Sequence, residues 1–342
     1  MKKAILTLGM AVAVSSSFAQ VVNSTKIHIS EGALVSFGSE VVNNGEISNN
    51  GKVHLRGDLK NNASLISKGS VVIDGQGAQT ISGTEKVEFS KVEINNDVNL
   101  QTPIKVNEEA VFQKGIVSSY NNSGVEFSAD ATHSGASDYS HVAAPVSKTG
   151  NGSFDFPVGD GASYRSFNAS NLKGNTVEAR YVANNPLDVN NTLDYNVEEI
   201  SQTEYWVLKS SSDEAVNVNL KNGDGIAHIK NGVWVKDNNS LKGTKDGSIF
   251  TSGKSKDFVK EIGVWPNPTK GEFNLKLTGM RDTDKIMVDI TNQDGRVIMK
   301  MNGSVKELRK AYTLPAGMVT TNLTVRVING TEAMTQNLIL NR

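Results

Sequence analysis

The chain has 342 residues, 35 basic and 36 acidic side chains, 31 glycines, 7 prolines and no cysteine. A formal net charge of -1 excludes a nucleic-acid binder that works through a surplus of Lys and Arg. The absence of cysteine excludes disulfides, thiolate catalysis, thiolate metal sites and a lipid-modified N-terminal cysteine.

At about 150 residues per domain, the length predicts two or three domains. Roughly one residue in ten is asparagine and only 6% are aromatic. Asn and Gly tolerate the positive φ of tight turns, so this composition predicts an all-β chain of many short strands with few helices.

The first segment reads as an address. Lys2 and Lys3 give a positive start, and residues 4–14 are an apolar run too short to span a bilayer. Ser17-Phe18-Ala19 places small residues where a signal peptidase cuts, which predicts a signal peptide over 1–19 and a mature chain beginning at Gln20. No second long apolar segment follows, so no transmembrane span is expected in the mature chain.

Residues 20–127 repeat. Val35-Ser36-Phe37, Val53-His54-Leu55 and Val71-Val72-Ile73 share one form, with starts 18 positions apart. Asn43-Asn44-Gly45 recurs as Asn61-Asn62-Ala63, Ile47 as Leu65, and Gly51 as Gly69; Val87-Glu88-Phe89 continues the series with a step of 16. Period-two alternation marks strands, and a fixed register marks coils that bury their inward residues against the coils beside them. Hairpins in an ordinary sandwich also carry regular turn signals. The 18-residue register favours a β-solenoid, with asparagine corners able to stack and hydrogen-bond from coil to coil. In style, this region resembles the repetitive N-terminal regions of bacterial surface proteins and adhesins.

Residues 128–255 read as a β-sandwich. Tyr205-Trp206-Val207-Leu208, Val216 to Leu220 and Gly232-Val233-Trp234-Val235 are short runs of β-branched and aromatic residues. The phrase over 146–159, followed by Tyr164-Arg165-Ser166, resembles a packing module of exported Bacteroidetes proteins. Trp206, Trp234 and Tyr205 are candidates for stacking on sugars, if their rings are exposed.

Residues 256–342 carry the most specific signal. Pro266 and Pro268 make a stiff turn that Gly271 ends, ahead of an alternating strand. Asp294-Gly295 lies between alternating runs and predicts a hairpin, Leu314-Pro315-Ala316-Gly317 a turn, and Asn329-Gly330 a closing hairpin. The expectation is a small immunoglobulin-like sandwich of about seven strands with no helix. The segment is identified as resembling the C-terminal sorting domain of type IX secretion cargo, through Pro266-Asn267-Pro268-Thr269, Gly271, the Asp294-Gly295 hairpin and the Leu314 to Gly317 turn. It departs from the family in having Met318-Val319 after that turn. The resemblance implies delivery through the type IX translocon in the outer membrane, a sortase-like peptidase as partner, a cut near Lys254 to Phe258, and arrival at the cell surface or outside the cell.

No catalytic pattern stands out. The histidines are His28, His54, His133, His141 and His228, and none has a zinc-ligand spacing. His54, between two apolar residues, reads as a solvent-facing strand residue. Asp155, Asp160 and Asp224 are candidate turn or calcium aspartates, the last two directly beside glycines, but no calcium repeat supports them. The sequence therefore points to a non-enzymatic secreted or surface protein, adhesin-like or structural, without a cofactor, meeting glycans or host or matrix surfaces. A polysaccharide-binding or polysaccharide-degrading protein and an accessory factor of the secretion system are the alternatives.

Overall fold

The computed structural model describes residues 20–221, 225–236, 239–242, 244–255, 261–330 and 332–342. The expected signal peptide, Asp224 and residues 256–258 of the expected cut lie outside them. The chain divides into two compact units, the first ending at Ser255 and the second beginning at Lys256.

The first unit opens as a β-solenoid. Val41–Asn43, Glu46–Asn49 and Lys52–Leu55 are the three sides of one coil. In the next coil Leu59–Asn61 is one side and Leu65–Ile73 supplies the other two. Coils stack in parallel register, Val35 on Val53 on Val71 and Ile47 on Leu65. This is the predicted 18-residue step. The inward residues Val41, Ile47, Val53, Leu55, Leu59, Val71 and Ile73 fill one core. Each coil is too thin to bury these residues alone, so the stack is the stable unit.

The corners hold by asparagine. Asn23 Nδ2 donates to Asn43 Oδ1 at 2.8 Å, and Asn43 Nδ2 to Asn61 Oδ1 at 2.8 Å. All three side chains are buried. Each carboxamide spans the rise between coils and also serves turn backbone, as Asn43 Oδ1 does by accepting from Gly45 N–H. The ladder stops at Gly83, where a Cβ would run into the Asn61 carbonyl, and Asn61 Nδ2 turns instead to the Glu85 and Lys86 carbonyls.

The repeat then departs from its expected register. Val87-Glu88-Phe89 does not lie on Val71–Ile73: Glu88 and Phe89 stack on Ile66 and Ser67, and Val92 to Ile94 cover Val71 to Ile73. Longer corners over 74–78 and 83–86 replace the short ones over 56–58 and 62–64, so the same side of the coil returns later in the sequence. Gln79 holds the wide corner: Oε1 accepts from Gly75 N–H at 2.6 Å, and Nε2 donates to the Leu55 and Gly57 carbonyls at 2.9 and 2.7 Å.

Parallel winding also runs past residue 127. Val142–Ala143 stacks on Val117–Ser119, and Val146–Thr149 on Val125–Phe127. The offset there is 25 positions (142 minus 117), and a loop of that length hides the period in the sequence. Thr176–Val182 then pairs antiparallel to Val146–Thr149, and the same sheet continues into Tyr205–Ser210 and Ser248–Ser255. A four-stranded sheet, with Ser153–Phe156 at one edge, completes the sandwich. Phe156 stacks on Phe167 at 5.0 Å and Trp206 on Phe250 at 5.5 Å, in a core continuous with that of the coils. At the junction Lys148 is buried, its ammonium donating to the carbonyls of Ser128, Ala129 and Ala131 at 2.7, 2.9 and 2.6 Å.

The second unit is a sandwich of seven strands. Glu261–Trp265, Glu272–Thr278 and Ala311–Thr313 form one sheet; Lys285–Thr291, Val297–Ser304, Thr321–Asn329 and Glu332–Leu340 form the other. Phe273, Val288, Val325 and Leu338 meet in its own core. The expectation of no helix is corrected by one turn at Val305–Leu308. Ser304 there makes a capping box, its N–H donating to Glu307 Oε2 at 2.7 Å and its hydroxyl accepting from Glu307 N–H. Backbone N–H donation from Ser304 is the largest influence holding the Glu307 carboxyl below its ordinary value. Among the described residues no helix is long and apolar enough to cross a membrane.

Candidate functional site

The sorting-domain motifs are far apart in the sequence but meet at the chain's last residues. The peptide bonds before Pro266 and Pro268 are both cis, and Asn267 between them faces the closing strand. Asn267 Nδ2 donates to the Asn337 carbonyl at 2.8 Å, and Oδ1 accepts from Ile339 N–H at 2.8 Å. Proline lacks an N–H, so a side chain supplies the edge bonds that backbone would otherwise make. Thr269 N–H then bonds the Ile339 carbonyl, and Asn341 N–H the Thr269 carbonyl, each at 2.8 Å.

Gly271 joins this motif to the Leu-Pro-Ala-Gly turn. Its carbonyl accepts from Leu314 N–H at 2.8 Å, and its φ of 132° lies where L side chains are strained. A Cβ there would also meet the Arg342 guanidinium. Arg342 closes the cluster, its guanidinium donating to the carbonyls of Lys270 and Pro315 at 3.2 and 3.3 Å, with Leu314 at 3.5 Å. Gly317 takes a φ of 83° at the end of the turn, after Pro315 and Ala316. Arg342 was not among the residues singled out from the sequence; the one signal was a basic residue at the end of a strand.

Asp294 and Gly295 serve a different place. They turn the hairpin of Lys285–Thr291 and Val297–Ser304, with Gly295 at φ 76° and Asn292 bonding across the turn to Arg296 N–H. Nothing brings them to the Arg342 cluster. The expected cut site is half inside the fold: Lys254 and Ser255 pair as strand with Glu199 and Val197.

The candidates in the first unit are structural. Trp234 is 0% exposed and Trp206 is 3%, so neither indole offers a face for stacking on a sugar. Their N–H groups bond inward, Trp206 Nε1 to the Arg165 carbonyl at 2.8 Å and Trp234 Nε1 to the Asn190 carbonyl at 2.7 Å. His54 is not simply solvated: Nδ1 lies 2.7 Å from Asp74 Oδ2, a residue that parallel stacking brings alongside from 20 positions away. His141 is buried between the Ser137 carbonyl, at 2.9 Å from Nδ1, and Gly161 N–H, at 3.1 Å from Nε2.

His133 packs among Phe112, Phe127 and Phe154. Burial pushes its ring below the ordinary histidine value. Asp160 is a turn aspartate: burial pushes its carboxyl up, but the N–H groups of Ala162 and Ser163, at 2.9 and 2.7 Å, leave it below its ordinary value. Asp155 accepts from Asn168 Nδ2 at 2.8 Å. Among the described residues, no three His, Cys, Asp or Glu gather as a metal ion would require.

Residues 263–341 match the family of secretion system C-terminal sorting domains. No curated protein matches the chain. Among solved structures, a Faecalibacterium prausnitzii β-glucuronidase is similar at 10% identity and a TM-score of 0.20, over 48% of this chain and 37% of that one. The chain thus spans little more than a third of that enzyme, and a likeness this slight carries no argument. The C-terminal unit is a secretion system C-terminal sorting domain, and the chain is a Bacteroidetes-type exported protein that the type IX route carries to the cell surface or beyond.

Proposed function

We propose that residues 20–255 are a non-enzymatic surface body, adhesin-like or structural, and that the sorting domain is its delivery tag. The observation that carries this reading is the pairing of one stiff body with a separately cored tag. One hydrophobic core runs from Ile29 in the coils to Phe250 in the sandwich, with a smaller cluster around Trp234 in the same unit, while the sorting domain closes on a core of its own. Such a body keeps its shape once the tag is removed by a sortase-like peptidase.

Its outward faces are ruled by polar cross-coil pairs, Lys26 with Glu46 at 2.8 Å, Lys105 with Glu88 at 3.2 Å and Lys86 with Glu126 at 2.6 Å. Exposed pairs of this kind add little stability; a regular polar face that meets glycans or a matrix is the use that remains for them.

The test is done on cells. A deletion strain should lose adhesion to glycan- or matrix-coated surfaces and regain it with the full gene. Purified protein should release no products from polysaccharides. Release of reducing ends from a polysaccharide, or normal adhesion of the deletion strain, overturns the reading.

A further inference from the structure

The first unit carries a trough at the place where its sheet changes from parallel winding to antiparallel pairing. Two open cavities of about 260 and 360 Å³ share Asn122, Pro145 and Arg180 and so form one trough. Its lining is mixed, with Ala143, Ala144, Pro145 and Val207 beside polar and charged side chains.

Two features of the trough point to a ligand. Arg180 stands exposed on the central strand with no carboxylate in ion-pair reach among the described residues, whereas its cationic neighbour Lys209 is already paired with Glu178 at 3.4 Å. Asn122 is exposed, holds a φ of 62°, and makes no side-chain hydrogen bond among the described residues.

The unpaired guanidinium calls for an anion, and its planar fork matches a carboxylate. The exposed amide suits hydroxyl groups, which accept and donate. The ring of Pro145 and the methyls of Val207 in the same lining suit the C–H face of a sugar ring. An acidic peptide fits less well, because Thr176–Val182 is already paired on both sides, with Val146–Thr149 and Tyr205–Ser210, and has no free backbone edge to offer a peptide strand.

We propose that this trough binds a carboxylate-bearing saccharide, with Arg180 taking the carboxylate and Asn122 the neighbouring hydroxyls. The proposal rests on the surface-body reading and names the ligand class of that body. That reading is tested on cells and this one on purified protein, so the two fail separately.

The experiment is calorimetric titration of the purified chain from residue 20 to residue 342, before any removal of the sorting domain, with oligogalacturonate. The comparators are the neutral oligogalactose, a sulfated oligogalactose and a polyglutamate peptide. Saturable binding of oligogalacturonate is expected, and clearly weaker binding of all three comparators. Arg180→Met should weaken binding roughly tenfold or more, since a hydrogen bond to a charged group is lost. Arg180→Lys should fall between, keeping the charge but losing the fork. Asn122→Gly keeps the positive φ, removes the amide, and should weaken binding several-fold with unchanged circular dichroism. Equal binding of any comparator, no binding of oligogalacturonate, or an Arg180→Met protein that binds as the parent does would each overturn the proposal.

Discussion

Asn267 bonds through both ends of its amide to the strand that closes the sorting domain, donating to Asn337 and accepting from Ile339 across 70 and 72 positions of sequence. The motif that looks like a turn is thus a clamp on the C-terminal strand. Asn267→Ala removes two exposed bonds and should destabilise the second unit by about 0.5–1 kcal/mol. It should also raise the periplasmic fraction of the protein, read by fractionation and by protease shaving of intact cells. Asn267→Asp keeps the acceptor toward Ile339 and should fall between. A fully surface-exposed Asn267→Ala protein of unchanged stability would refute the clamp.

The asparagine ladder predicts a contrast between buried and exposed rungs. Asn43→Ala leaves Asn23 Nδ2 and Asn61 Oδ1 each short of a buried partner and should cost the first unit about 2–4 kcal/mol in denaturant unfolding. Asn62→Ala removes an exposed bond of the same 2.8 Å length, to Asn44, and should cost about 0.5 kcal/mol or less. Equal losses would mean that burial does not set the value of a rung.

Close stacking predicts a glycine that fails for want of space. A Cβ at Gly69 would run into the Gly51 carbonyl of the coil below, while one at Gly77 meets nothing. Gly69→Ala should therefore destabilise the first unit by about 2 kcal/mol or more, and Gly77→Ala by about 0.5 kcal/mol or less. Thermal unfolding of both variants checks this.

His133 makes the first unit acid-sensitive. Its Nδ1 is buried without a partner and its Nε2 lies 2.5 Å from the Asp155 carbonyl. Burial is the main cause of its lowered pKa; the Asp155 carbonyl and charge act against it, and Lys221 and Lys148 act with it. A histidine depressed in the folded state binds its proton more readily when unfolded. Stability is therefore full above the unfolded value of about 6.5 and falls as pH drops from there to the folded value. His133→Phe should flatten that part of the stability profile, below about pH 6.5. A variant profile parallel to the parent's would remove His133 from the account.

Local rules made much of this chain legible. Period-two alternation and a repeated corner foretold the stacking of Val35, Val53 and Val71, and the Asn43 to Asn61 contact. The register of Val87 was not legible, because corner length varies and only the partner coil shows which side of the coil a strand occupies. The Trp206 and Trp234 side chains were ambiguous for a similar reason: an aromatic strand residue has the same pattern whether its ring faces a core or a sugar.

The sequence by itself determined the class of the chain and its destination. Turn residues, strand alternation and the proline-rich sorting motif act over a few neighbours, and that range is readable along the chain. Only the tertiary structure decided that Lys270, Leu314 and Arg342 share one cluster, that Lys148 is a buried clamp, and that Arg180 stands unpaired beside Asn122. Those relationships join residues tens of positions apart, and the enthalpy of each bond is available only after folding has met the entropy of bringing them together.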